Sequence, residues 1–191
     1  MGRRWWSGPT VTWTVVALTT AQLLVATLFP DLPQFDGKAF ASRLVAYPLM
    51  MSAPVLAWWR FGERPLPWLG FTLIDIPFLV DVTGNTLDLY DSVVWWDDAN
   101  HFVNWAFLCG GIGLLLLRSP RVRRDWLLVL AVTGIGAVLA IAWELSEYAT
   151  FIRFGTELDT AYTDTLGDEA LGTLGSLLAA VVLVRSGRRG A

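Results

Sequence analysis

The chain has 191 residues, 54% of them hydrophobic, with a mean hydropathy of +0.50. That composition excludes an ordinary soluble domain and fits an integral membrane protein, with residues 1–191 forming one domain. The formal net charge of −3 excludes little, because its fourteen basic and seventeen acidic residues are unevenly placed. The single cysteine, Cys109, excludes an intramolecular disulfide.

Six apolar runs are long enough to be membrane spans, for which about 17 residues is the lower limit. In chain order they are Val11 to Phe29, Phe40 to Trp59, Leu66 to Val82, Asn100 to Leu117, Trp126 to Tyr148 and Leu166 to Val184. The expected fold is therefore all-α: a polytopic membrane helical bundle with about six transmembrane helices. Arg3 and Arg4 precede the first run, but its length and the Phe29-Pro30-Asp31 sequence after it predict an uncleaved anchor. Pro30 and Pro33 stop that helix, Pro65 and Pro67 start the third, and Ser119-Pro120 ends the fourth. Tryptophans at Trp5/Trp6, Trp58/Trp59, Trp68, Trp95/Trp96 and Trp126 fall at span ends, as in an interfacial belt.

The third run is the most polar. Asp75, Pro77 and Asp81 interrupt it, and continuation past Val82 would put Asp81, Asn85 and Asp88 on one face. Such a broken, acidic helix predicts a wet cavity, with Asp75 and Asp81 as steps of an ion path. The alternative is a helix ending near Val80, with Asp81, Asp88 and Asp91 in a solvated loop. Glycines at 110, 111 and 113, at 134 and 136, and at 172 and 175 predict close helix contacts among the last three spans.

With the N-terminus in the cytoplasm, eleven of the fourteen basic residues fall on cytoplasmic segments, leaving Lys38, Arg43 and Arg153 outside. This bias places both termini in the cytoplasm. Arg121, Arg123 and Arg124 then set topology and meet anionic lipid. Only Glu63 and Asp125 of the seventeen carboxylates lie clearly on the cytoplasmic side. The others lie in outer loops or toward the outer ends of the spans, with Asp75 the deepest, and the one histidine sits among those at the span ends.

That gathering has helical spacing. Asp97 and His101 are four residues apart, with Asn104 on the same face; Glu144 and Glu147 are three apart; Asp164 and Asp168 are four apart, with Gly172 and Gly175 continuing their stripe. Brought together, these faces put five carboxylates about one imidazole. Such a cluster must bind a cation, share protons or open onto water. Its donors suit Mg, Mn, Ca, Fe or Zn, without distinguishing among them. One histidine excludes a three-His zinc site and the paired Glu-x-x-His motifs of di-iron bundles. Asp97 could instead hold the His101 tautomer as a helix-end cap, Glu144 and Glu147 could line a solvated face, and Asp164 also suits an N-cap. Asp98, Glu157, Asp159 and Glu169 are expected in solvent. No phosphate-binding loop, His-Glu-x-x-His motif, nucleophile elbow or basic nucleic-acid surface is present.

The run Trp95-Trp96-Asp97-Asp98-Ala99-Asn100-His101-Phe102, then Trp143-Glu144-Leu145-Ser146-Glu147, then Asp164-Thr165-Leu166-Gly167-Asp168 with Gly172 and Gly175, resembles the YjdF-like family of small bacterial inner-membrane proteins. A looser similarity runs to VanZ-like membrane proteins, which implies a cell-envelope setting. The resemblance spans about Asp81 to Val184 and implies that Asp97, His101, Glu144, Glu147, Asp164 and Asp168 form one site. It names no substrate.

The expected function is an outward-facing carboxylate and histidine cluster that binds a divalent metal ion. If catalysis follows, it is metal-assisted hydrolysis or group transfer on an envelope lipid or similar amphiphile, with His101 as ligand or general base. The alternatives are a proton- or cation-coupled transporter or channel using Asp75 and Asp81, and a non-catalytic assembly factor. The expected partners are membrane lipids and a lipid-like or small-molecule substrate, with no nucleic acid. The expected location is the bacterial cytoplasmic (inner) membrane.

Overall fold

The protein is represented by a computed structural model, which describes residues 8–118, 122, 124–150, 152–154, 158 and 160–188. The expectations for Arg3, Arg4, Trp5, Trp6, Ser119, Pro120, Arg121, Arg123, Glu157, Asp159 and Arg189 lie outside the described residues. Among the described residues seven α-helices follow in order: α1 (Gly8–Leu28), α2 (Phe40–Phe61), α3 (Trp68–Thr86), the short α4 (Leu89–Ser92), α5 (Trp96–Leu116), α6 (Asp125–Thr150) and α7 (Ala161–Arg188). No strand occurs among the described residues.

Among the described residues five helices, α1, α2, α5, α6 and α7, are long and apolar enough to cross a membrane. The chain is thus a polytopic helical membrane protein. Helix α3 is not among the five, although its 19 residues are enough in length. Asp75, Asp81 and Asn85 lower its apolarity, and they can do so because α3 is the helix most enclosed by others. Nine of its residues are buried, against five of the 26 in α6. Leu130, Val138, Ile141 and Leu145 of α6 are exposed instead, as an apolar solvent would favour.

Helix α3 runs the length of the bundle. It lies alongside α1 in the same direction: Gly8 meets Trp68, the Thr12 and Thr72 hydroxyls are 2.7 Å apart, and Gln22 Nε2 donates to Thr83 Oγ1 at 3.1 Å. It runs opposite to α5, with Gly70 against Gly111 at one end and Gly84 against Trp96 at the other. Helices α5 and α7 are parallel, since Trp105 meets Gly172 and Cys109 meets Ser176, and α6 runs antiparallel to both. Two apolar clusters result. Val15, Leu23, Tyr47, Met51, Phe78 and Val82 form one, and Trp105, Cys109, Leu128, Val132, Ala140 and Ala180 the other, with Trp143 packed against both.

Several boundaries differ from those expected. Helix α3 continues four residues past Val82, because Asn85 turns back to donate to the Asp81 carbonyl at 3.0 Å and so stays helical. Helix α7 begins five residues before Leu166, so Asp164 sits in its first turn. The chain stops being helical after Thr86, where Asp88 takes a left-handed φ of 59°. The close contacts expected of the glycines are real at Gly111, whose missing Cβ lets the Gly70 carbonyl in, and at Gly175, which receives the Phe102 carbonyl. Gly134 is a correction: a Cβ there would meet nothing within 4 Å, and the residue lies on the exposed side of α6.

Candidate functional site

The polar residues concentrate at one end of the bundle, where α5 and α7 begin and α6 ends. Two joined groups make up this end. The first centres on Arg43, three residues inside α2. Its Nη1 donates to Asp81 Oδ2 at 2.9 Å and to Oδ1 at 3.2 Å, and its Nη2 lies 3.8 Å from Glu147 Oε1. Tyr47, one turn along α2, donates its hydroxyl to Asp81 Oδ2 at 2.7 Å, and Tyr90 of α4 donates to Asp81 Oδ1 at 3.0 Å. Asp81 is thus held by three donors from two other helices. Burial, followed by the Asp81 negative charge, pushes the Tyr90 phenol well above its ordinary range.

The second group centres on His101, which is 8% exposed. Its Nε2 stands 3.6 Å from Asp97 Oδ1 and 3.7 Å from Asp168 Oδ1, and its Nδ1 stands 3.8 Å from Glu144 Oε1. All three separations exceed a hydrogen bond. His101 Nδ1 and Glu144 Oε1 are both buried and make no hydrogen bond within the described residues. The other Glu144 oxygen, Oε2, accepts from Thr165 Oγ1 of α7 at 3.1 Å, which fixes the carboxylate and aims Oε1 at the ring. Two sets of atoms here are close enough to share an ion: Asp97, His101 and Asp168, and His101, Glu144 and Glu147, each within 4.8 Å of one another.

Helical periodicity accounts for the assembly. Asp97 and His101 project together because α5 starts at Trp96, and Asp168 reaches them because α5 and α7 are parallel with Gly172 and Gly175 at their contact. Glu144 is buried at 5% exposure while Glu147, one turn on, is partly buried and turns to Arg43. Asp164 is exposed and lies in neither set. Its place in the first turn of α7 suits the helix dipole.

Asp98 is exposed, and Glu169 is half-buried rather than free in solvent. Asp91 pairs with Lys38 at the exposed surface, and Asp88 is exposed. Asp75 stands apart from all of these, deeper in the bundle. Cys109 is buried and accepts from Ser176 Oγ at 3.1 Å, a packing role.

Sequence reasoning assigned Arg43 to the outside basic residues and overlooked it as a site residue. The available signal was its position inside an apolar run, four residues from Tyr47 and so on the same face. Thr165 and Tyr90 carried no comparable signal, because a lone hydroxyl near a helix end is common.

The chain belongs to the family described as Predicted membrane protein (DUF2238), whose sequence profile matches residues 11–189. This is the YjdF-like family to which the motifs point, and the match gives no support to the VanZ-like similarity. No curated protein and no solved structure matches the chain.

Proposed function

We propose that the protein binds a divalent cation at the polar end of its bundle. The observation that carries this reading is the pair of buried atoms, His101 Nδ1 and Glu144 Oε1, which face each other at 3.8 Å without a hydrogen bond. Two donors bound to one tetrahedral ion at about 2.1 Å stand about 3.4 Å apart, so a small inward movement brings these atoms to ligand spacing. Glu147 supplies a third donor on the same side. The Nε2–H of the ring then points to Asp97 and Asp168, which orient it as carboxylates commonly orient a metal-bound imidazole. Asp164, at the exposed rim, has no ligand role in this arrangement. One imidazole with carboxylates suits Mn, Fe or Zn, and Mg or Ca through the oxygens alone.

The ion would supply Lewis acidity and a bound nucleophile for hydrolysis or group transfer on an envelope lipid or other amphiphile, with His101 as ligand. The setting in this reading is the bacterial inner membrane, with α3 as a sixth crossing shielded by α1 and α5, both termini cytoplasmic and the cluster on the outer side. The distribution of arginine supports that sidedness.

Metal analysis of the purified protein tests the reading. A stoichiometric divalent ion is expected in the parent after loading, and it should be lost in a Glu144→Ala, Asp168→Ala variant that keeps its fold. A parent that takes up no ion from Mg, Mn, Ca, Fe or Zn solutions overturns it.

A further inference from the structure

Away from this cluster, Asp75 sits near the middle of α3, about 10 Å along the axis from Trp68 and about 16 Å from Thr86 at 1.5 Å per residue. It is 0% exposed, and neither carboxylate oxygen has a hydrogen-bond partner within the described residues. An ionised carboxylate in that state, with no cation and no donor, would carry a desolvation cost far larger than any single contact in the bundle returns.

Among the described residues, the helices around Asp75 bring it no cationic partner. Helix α1 has no titratable side chain. On α2 the candidates are Arg43, Tyr47 and Arg60; the first two are engaged by Asp81, and Arg60 is in the last turn at the opposite end. On α5 they are Asp97, Asp98, His101 and Cys109, and on α4 Tyr90 and Asp91; the four carboxylate and phenol groups among these at the polar end carry no positive charge. On α3 itself the other titratable group is Asp81. His101 lies with Glu144 and Asp168, and no ion pair among the described residues includes Asp75.

We propose that Asp75 is a proton-binding site inside the bundle, held as the neutral carboxylic acid and separate from the carboxylate and histidine cluster. It lies on the buried side of α3 between two polar groups. Asp81 and its donors are six residues toward the polar end. Thr72, three residues the other way and hydrogen-bonded to Thr12 of α1, continues the polar face. A conformation that lets water reach this level allows the acid to ionise and releases one proton.

Infrared difference spectroscopy of the full chain in lipid tests this. The carboxylic-acid C=O stretch is expected in the parent at neutral pH, lost in Asp75→Asn and retained in Asp81→Asn. Asp75→Asn should also keep the parent Tm, since an amide replaces a neutral acid of the same shape. An Asp75→Asn spectrum identical to the parent in the carboxylic-acid region overturns the proposal. Should that variant fail to fold, isotope-edited spectra of the parent with labelled aspartate, set against Asp75→Glu, read the same band: its presence at the aspartate frequency supports the site, and its absence overturns it.

Discussion

Arg43 of α2 holds both carboxylate oxygens of Asp81 of α3, at 2.9 and 3.2 Å, with both side chains about one-eighth exposed. The pairing joins two helices through one guanidinium nitrogen, Nη1, that reaches both carboxylate oxygens, while Nη2 lies toward Glu147 of a third helix. Removing the guanidinium leaves Asp81 enclosed with its charge uncompensated. Arg43→Met is therefore expected to destabilise the fold by about 3–5 kcal/mol in denaturant titration, as the breaking of buried pairs does. An Arg43→Met, Asp81→Leu double variant should recover much of that loss, and strict additivity of the two single effects would contradict the pairing.

Thr165 contacts no proposed cation directly but fixes Glu144 through its hydroxyl. Thr165→Val keeps the shape and deletes that hydrogen bond. If Glu144 Oε1 is a ligand, the affinity for a divalent ion measured by calorimetry should fall about 10–100-fold, the usual effect of losing an orienting partner, while Tm changes little. Unchanged affinity would place Glu144 outside the coordination sphere.

Gly175 and Gly134 form a matched pair of tests for packing. A Cβ at Gly175 would run into the Phe102 carbonyl, which belongs to the α5 backbone and cannot swing aside, whereas Gly134 has open space. Gly175→Ala is expected to destabilise by about 1–3 kcal/mol. Gly134→Ala should be neutral or stabilising by up to about 1 kcal/mol through helix propensity. Thermal unfolding in one detergent compares them directly.

Tyr90 gives the alkaline limit of stability a residue-level cause. Its phenol is pushed upward by burial and by Asp81, so the folded state keeps a proton that the unfolded chain loses near pH 10. A group with its folded-state value raised contributes stability in full below the unfolded value, and that contribution declines as pH rises beyond it. Stability of the parent should therefore fall above about pH 10. Tyr90→Phe should show a shallower decline, measured by denaturant midpoint across that range.

The helices and the membrane character were legible because apolar runs of spanning length leave few other solutions. The grouping of Asp97, His101, Glu144 and Asp168 was legible because i, i+3 and i, i+4 spacing fixes a face and the glycines set where faces meet. What was hidden depended on which helices become neighbours. Arg43 counts in the sequence only as one of three basic residues on the outer side, and the placement of α2 beside α3 is what gives Asp81 its partner. Asp164 and Asp168 are equivalent in spacing, yet a helix that starts at Ala161 leaves one at the rim and buries the other at 3% exposure. Helix α3 was the weakest span by composition for the same reason that it is the most enclosed: surrounded by helices, it does not have to satisfy lipid.

Trp143 touches the apolar clusters of both halves of the bundle and immediately precedes Glu144, while Glu147, one turn later, reaches Arg43 in the other half. This short stretch of α6 therefore ties the two halves together next to the site, in addition to the α3–α5 contact at Gly70 and Gly111. Any tilt of α1–α3 against α5–α7 would turn the tryptophan, and with it the angle at which Glu144 meets His101. It would also lengthen or shorten the Arg43 to Glu147 contact.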